Sequence, residues 1–142
     1  MTNQDRLVVA EIAAKWIKTP FYPHMAKRGV GADCVQMALE IYKEAGLLPR
    51  EVDLPIYRLD SGDHIDSNQV TRWLETSGFM RRVVAMAAGS LVVLKVGRVE
   101  HHVGVAVSSF KFVQAIRRYG VVESDLRDST WAERVRSYWE PL

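Results

Sequence analysis

Cys34 is the only cysteine among the 142 residues, so no disulfide can form within the chain and any chemistry it performs is that of a free thiol. A thiol is a nucleophile only as the thiolate. A helix N-terminus or a neighbouring histidine can lower its pKa from about 8.5 to roughly 3.5–7.5. Cys34 follows a loop containing Gly29 and Gly31 and opens an apolar periodic segment, which predicts a position at the start of a helix. Unpaired main-chain N–H groups and the positive end of the helix dipole would favour a thiolate there. Asp33 is placed to cap the same helix, and its charge would partly oppose the thiolate. A lone cysteine is more commonly a small buried hydrophobe, so a nucleophile needs a base from elsewhere in the chain.

Two histidines, His101 and His102, stand in the run Glu100-His101-His102-Val103-Gly104-Val105-Ala106. Read as a strand, it places His102, Gly104 and Ala106 on one face and His101, Val103, Val105 and Val107 on the other. The face with two small residues is the one expected to admit a helix, which would bring His102 to the helix N-terminus. The alternative is a pair of surface histidines at a strand end. A metal site built from both is disfavoured, because adjacent strand residues point apart. A hairpin turning near Ser108-Ser109-Phe110 would set Gln114 opposite or diagonal to His102. Its amide oxygen would then accept the imidazole N–H and fix the tautomer, the orienting role in a Cys-His-polar triad. Asp60, Asp63, His64 and Asp66 match neither a calcium loop nor a zinc motif, and read as a polar loop.

These side chains must be carried by a helical first half and a stranded second half. Helices are predicted from Asp5 to about Lys18, from Asp33 or Cys34 to about Ala45 with Gly46 as its C-terminal cap, and from Asn68 to about Thr76 with Gly78 closing it. Leu47 to Ser67 has two prolines and no clear period, and reads as loop, with a short helix within it as the alternative. Strands follow at Arg82–Met86, Ser90–Val96, His102–Val107, Lys111–Ile116 and Gly120–Glu123, then a short helix at Thr130–Val135 and a last strand at Ser137–Trp139. Helices first and strands afterwards predict an α+β fold in one domain, with N-terminal helices packed on a mainly antiparallel sheet of five to six strands.

Composition narrows the function classes. The net charge is only +2, and 48% of residues are hydrophobic and 25% charged. That is an ordinary globular balance, which calls for neither a nucleic-acid nor a membrane partner. Arg81-Arg82 and Arg117-Arg118 read as solvated strand ends. The N-terminal residues show no basic region leading into an apolar one, so synthesis in the cytoplasm is expected.

Taken together, these residues resemble the NlpC/p60 family of cell-wall cysteine peptidases, especially its small phage and prophage tail-associated members. The resemblance is carried by Trp16-Ile17-Lys18-Thr19-Pro20-Phe21, Gly29-Val30-Gly31-Ala32-Asp33-Cys34, His102-Val103-Gly104-Val105, Phe112-Val113-Gln114-Ala115 and Gly120-Val121-Val122-Glu123-Ser124. It implies a minimal papain-like fold without a cofactor, with Cys34 as nucleophile, His102 as base and Gln114 as orienter. The main-chain N–H of Cys34 would contribute to an oxyanion hole. Tyr22, Asp33 and His101 are the candidate substrate contacts. The implied substrate is a peptidoglycan stem peptide, cut between γ-D-glutamate and a diamino acid, and phage-tail proteins are the implied partners. Three departures stand out. Phe21 then Tyr22 follows Thr-Pro where many members have tyrosine, Val35-Gln36 follows the cysteine where a small residue is common, and Gln114 stands where histidine is frequent. An amidase or acyltransferase acting elsewhere, or a structural subunit with a vestigial site, are the alternative readings.

Overall fold

The structure, a computed structural model, describes residues 1–54, 69–96 and 99–142, with main chain alone at 99–101. The predicted cluster of Asp60, Asp63, His64 and Asp66 and the side chain of His101 lie outside the described residues.

Helix α1 (Asn3–Ala14) starts at a reciprocal capping box. Asp5 N–H donates to Thr2 Oγ1 while Thr2 N–H donates to the Asp5 carboxylate, which satisfies two otherwise unpaired donors. The regular helix ends at Ala14, four residues short of the expected Lys18. The chain turns beneath the buried Trp16, reaches Lys18 with φ +77°, and Lys18 N–H donates to the carbonyl of Val121. Tertiary pairing thus takes the last turn out of the helix.

Two short strands, β1 (Ala26–Lys27) and β2 (Gly31–Ala32), pair across the glycine loop. Each has only two residues, too few to show a period. Helix α2 (Cys34–Glu44) follows as expected and buries Val35, Met37, Ala38, Leu39, Ile41 and Tyr42. Gly46, at φ +76°, turns the chain away in the left-handed conformation that glycine adopts without strain. Helix α3 spans Gln69–Thr76 and the short α4 spans Ser129–Ala132.

The main sheet contains β3 (Met80–Val83), β4 (Leu91–Val96), β5 (Val99–Ala106), β6 (Lys111–Ile116), β7 (Gly120–Asp125) and β8 (Val135–Pro141). Their spatial order is β3-β8-β4-β5-β6-β7, and every neighbouring pair is antiparallel. The expected α+β class and six-stranded sheet are therefore present. β3 begins two residues before the expected Arg82, and Val84 has already left the sheet, fully exposed.

The two faces of the sheet are covered differently. Leu91, Val93, Val103, Val105, Val113, Ala115 and Val121 form the main core with the buried faces of α1 and α2. Met86, Val92, Leu94, Ala106 and Phe112 form a smaller cluster on the other face, covered by Leu126, Trp131, Val135 and Tyr138. The helices thus lie on the Val103/Val105 face, not on the small-residue face expected to admit them. Gly104 owes its size to a different neighbour: a Cβ there would stand 2.7 Å from Phe112 Cδ2 and 2.9 Å from the carbonyl oxygen of Val113.

Candidate active site

Cys34 is the first residue of α2, and Asp33 is its N-cap. Asp33 is completely buried, and its two carboxylate oxygens hold two segments together. Oδ1 accepts from the Gln36 N–H at 2.7 Å and Oδ2 from the His24 N–H at 2.6 Å. His24 has φ +58°, a conformation disfavoured for residues with a Cβ. The carboxylate therefore fixes a strained turn against the start of α2. Asp33 acts in the structure as a clamp within the fold.

The thiol of Cys34 is buried, with the residue 3% exposed. Burial pushes its pKa up to about 12, and the neighbouring Asp33 charge adds to that rise. The main-chain N–H groups of Val103, Val35 and Cys34 itself act in the opposite direction. The resting group is thus a neutral thiol, where the helix N-terminus taken alone predicts a thiolate.

Packing of Cys34 and Val103 in one core cluster sets α2 against the histidine strand. β5 pairs with β4 as far as Leu94↔His102, beyond which the register shifts. Its ladder with β6 stops at Gly104↔Gln114, although β6 itself continues to Ile116 beside β7. Among the described residues no β5–β6 pair follows Gly104↔Gln114. Cys34 lies in the same core cluster as Val103, the residue after His102, and the Val103 N–H is among the groups that favour its thiolate. The thiol thus approaches from the helix-bearing face, while His102 and Gln114 belong to the opposite face by strand alternation.

His102 Nε2 lies 2.7 Å from Gln114 Oε1. An amide oxygen can only accept, so with this amide orientation the imidazole proton sits on Nε2 and Nδ1 is the basic nitrogen. Gln114 is fully buried, and its Nε2 donates to Ser124 Oγ at 2.8 Å. Ser124 is the polar neighbour that the sequence did not single out. The strand expected at Gly120–Glu123 stops one residue short of it, and the cross-strand diagonal that brings it to Gln114 depends on register.

Tyr22 is 58% exposed. Its N–H donates to the Ala32 carbonyl, and it packs over Gly31, where a Cβ would meet Tyr22 Cβ at 2.8 Å. Phe21 is half-buried against the core and carries the Arg117 guanidinium 6.0 Å from its ring centroid. Of the two aromatics after Thr19-Pro20, Tyr22 is the one presented to solvent. Among the described residues no three His, Cys, Asp or Glu side chains are placed to hold a metal ion, and no helix is long and apolar enough to cross a membrane.

No family model and no curated protein matches this chain by sequence. Solved structures do match its fold. A lipoprotein-like protein of the NLP/p60 family from Staphylococcus aureus aligns over 99% of this chain and 42% of its own, with 17% identity and a TM-score of 0.65. The NlpC/p60 domain of the peptidoglycan hydrolase SagA aligns over 94% of this chain and 96% of its own, with 16% identity and a TM-score of 0.61. NlpC2 from Trichomonas vaginalis aligns over 97% of this chain and 46% of its own, with 14% identity and a TM-score of 0.61. The chain thus spans less than half of the staphylococcal and Trichomonas proteins but almost all of the SagA domain. Its fold is that of the papain-like NlpC/p60 domains.

Proposed function

We propose that this protein is a cysteine hydrolase that cleaves peptidoglycan stem peptides between γ-D-glutamate and the diamino acid. The observation that carries the reading is the pairing of His102 Nε2 with Gln114 Oε1, one residue along β5 from Val103, which shares the core cluster of Cys34 at the start of α2. The likeness to a peptidoglycan hydrolase domain over almost its whole length supports the choice of substrate.

In this reading His102 Nδ1 takes the thiol proton as Cys34 Sγ forms a bond to the scissile carbonyl carbon. The main-chain N–H of Cys34 donates to the oxygen that gains negative charge. His102 then gives its proton to the departing amine as the C–N bond breaks, leaving a thioester on Cys34. Water, deprotonated by the same imidazole, hydrolyses the thioester and restores the thiol. Gln114 keeps the proton of the neutral imidazole on Nε2 and accepts from the imidazolium once it forms. Tyr22, Asp33 and His101 are assigned to the substrate side, with Asp33 acting through the turn it clamps. The resemblance to phage-tail members supplies a setting, a particle that carries the enzyme to the wall, and co-purification with tail particles is its test.

Digestion of a soluble diaminopimelate-containing stem peptide, read by mass spectrometry, tests the bond. The expected products are an alanyl-γ-glutamate and a fragment with a new amine on the diamino acid. Cleavage at another amide would transfer the site to a different amidase activity.

A further inference from the structure

Three segments far apart in sequence are joined at Thr19. Its carbonyl accepts from the Val121 N–H at 2.8 Å, its hydroxyl accepts from the Gly29 N–H at 2.9 Å, and the preceding Lys18 N–H donates to the Val121 carbonyl. Gly120 is packed so tightly here that a Cβ would stand 2.6 Å from the Thr19 carbonyl oxygen. These bonds gather the end of α1, the β1–β2 turn and the β6–β7 turn into one surface. They carry Lys15 and Lys18, Lys27 and Arg28, and Arg117 and Arg118 respectively, all exposed.

The charge of this surface differs from that of the remaining chain. Residues 15–32 and 115–122 contain these six basic residues and no acidic one. The other thirteen basic residues stand against all seventeen acidic ones, so a chain of net +2 is a +6 surface on a body of −4. The nearest acidic residue beyond the β6–β7 turn, Glu123, is engaged by Lys111 at 3.7 Å. Lys18, Lys27, Arg28 and Arg118 take part in no ion pair among the described residues. Two exposed aromatics, Tyr22 and Tyr119, and the apolar Val30 lie within the same segments. Like charges brought together repel, and a field of this kind concentrates a polyanion near the surface.

We infer that this surface docks the enzyme on the carboxylate-bearing peptides of the wall around the bond being cut. The inference rests on the reading of the site as a stem-peptide hydrolase and adds how the insoluble substrate is held. The surface is continuous with the catalytic segment, because β2 runs from the Lys27-Arg28 turn directly into Asp33 and Cys34. A polymer held by these cations therefore lies near the segment that carries the thiol, and the polymer that the thiol must reach is the peptide network, whose stems end in free carboxylates. Exposed aromatic rings supply apolar area between the charges.

The test is co-sedimentation of the full chain carrying Cys34→Ala with purified wall sacculi freed of phosphate polymers. Because binding is read without turnover, docking and hydrolysis can fail separately. The expected result is salt-weakened binding that falls by about tenfold or more when Lys18, Lys27, Arg28 and Arg118 are all changed to glutamine. The same number of changes at Lys43, Arg72, Arg82 and Arg136 should leave it in place. Lys27→Gln/Arg28→Gln alone should give a partial loss, and matched thermal melts confirm that each variant is folded. Amidation of the wall carboxylates should also abolish binding. Equal loss in the two quadruple variants, undiminished binding to the amidated wall, or equally tight binding of the parent to duplex DNA or to phosphatidylglycerol vesicles would overturn the inference.

Discussion

In the proposed mechanism Gln114 is a neutral orienter, and the chemistry of His102 follows from that. A carboxylate in its place would stabilise the imidazolium and favour a preformed thiolate–imidazolium pair, whereas an amide oxygen fixes the tautomer without adding charge. With the thiol itself pushed up to about 12 by burial and Asp33, the proposed mechanism places proton transfer in the attack step. The rate of Cys34 alkylation by iodoacetamide should therefore climb continuously from neutral pH into the alkaline range. A plateau with an acidic inflection would mean an ion pair at rest. Gln114→Ala should lower kcat/KM by about tenfold to a hundredfold, the worth of a hydrogen bond to a group that becomes charged. Gln114→Glu should restore orientation and shift the alkylation profile toward acid. At this scale the sequence was informative: Cys34, His102 and Gln114 could each be singled out from residue type and local pattern. The role of Asp33 was half visible, since capping is local but its bond to His24 N–H is a contact across a turn.

The strands position these groups by where their pairing stops. Among the described residues the last β5–β6 pair is Gly104↔Gln114, so His102 lies just past it, and Val103 beside it shares the core cluster of Cys34. Period-2 alternation sorted the residues of β5 onto the right faces but could not reveal a ladder end, because register is a property of two strands together. For that reason the sequence placed α2 on the small-residue face, when it packs on the Val103/Val105 face. The same limit hid β1 and β2. Gly104→Ala tests the element directly. Its added methyl would press on Phe112 and the Val113 carbonyl, so a destabilisation of about 1–3 kcal/mol is expected in chemical denaturation, with a loss of activity as β5 shifts against β6. Normal stability and activity in this variant would refute the close approach of Phe112.

Across the whole molecule, one buried carboxylate joins the first helix to the far edge of the sheet. Glu140 on β8 accepts from Arg6 of α1 at 2.6 Å and from Arg81 of β3 at 3.2 Å. Burial alone would raise its pKa, but the two guanidinium bonds outweigh that and hold it below the usual carboxylate value of 4.5. A lowered native pKa means that the stabilisation is complete above 4.5 and is lost as pH falls through the native value. Glu140→Gln should cost about 1–3 kcal/mol at neutral pH, with the difference from wild type shrinking as pH drops below 4.5 in thermal melts. A constant difference across that range would exclude the ionised carboxylate as its source. This network joins residues 6, 81 and 140, and no local pattern in the sequence could have paired them.

The central claim is that Cys34 is the nucleophile and His102 its base. Hydrolysis of purified muropeptides by wild type, Cys34→Ala and His102→Ala, matched for folding by thermal melts, tests it most directly. The expected result is release of stem-peptide fragments by wild type and a loss of about a thousandfold or more in both variants. Undiminished hydrolysis by folded Cys34→Ala would contradict the account and place the catalytic group elsewhere in the chain.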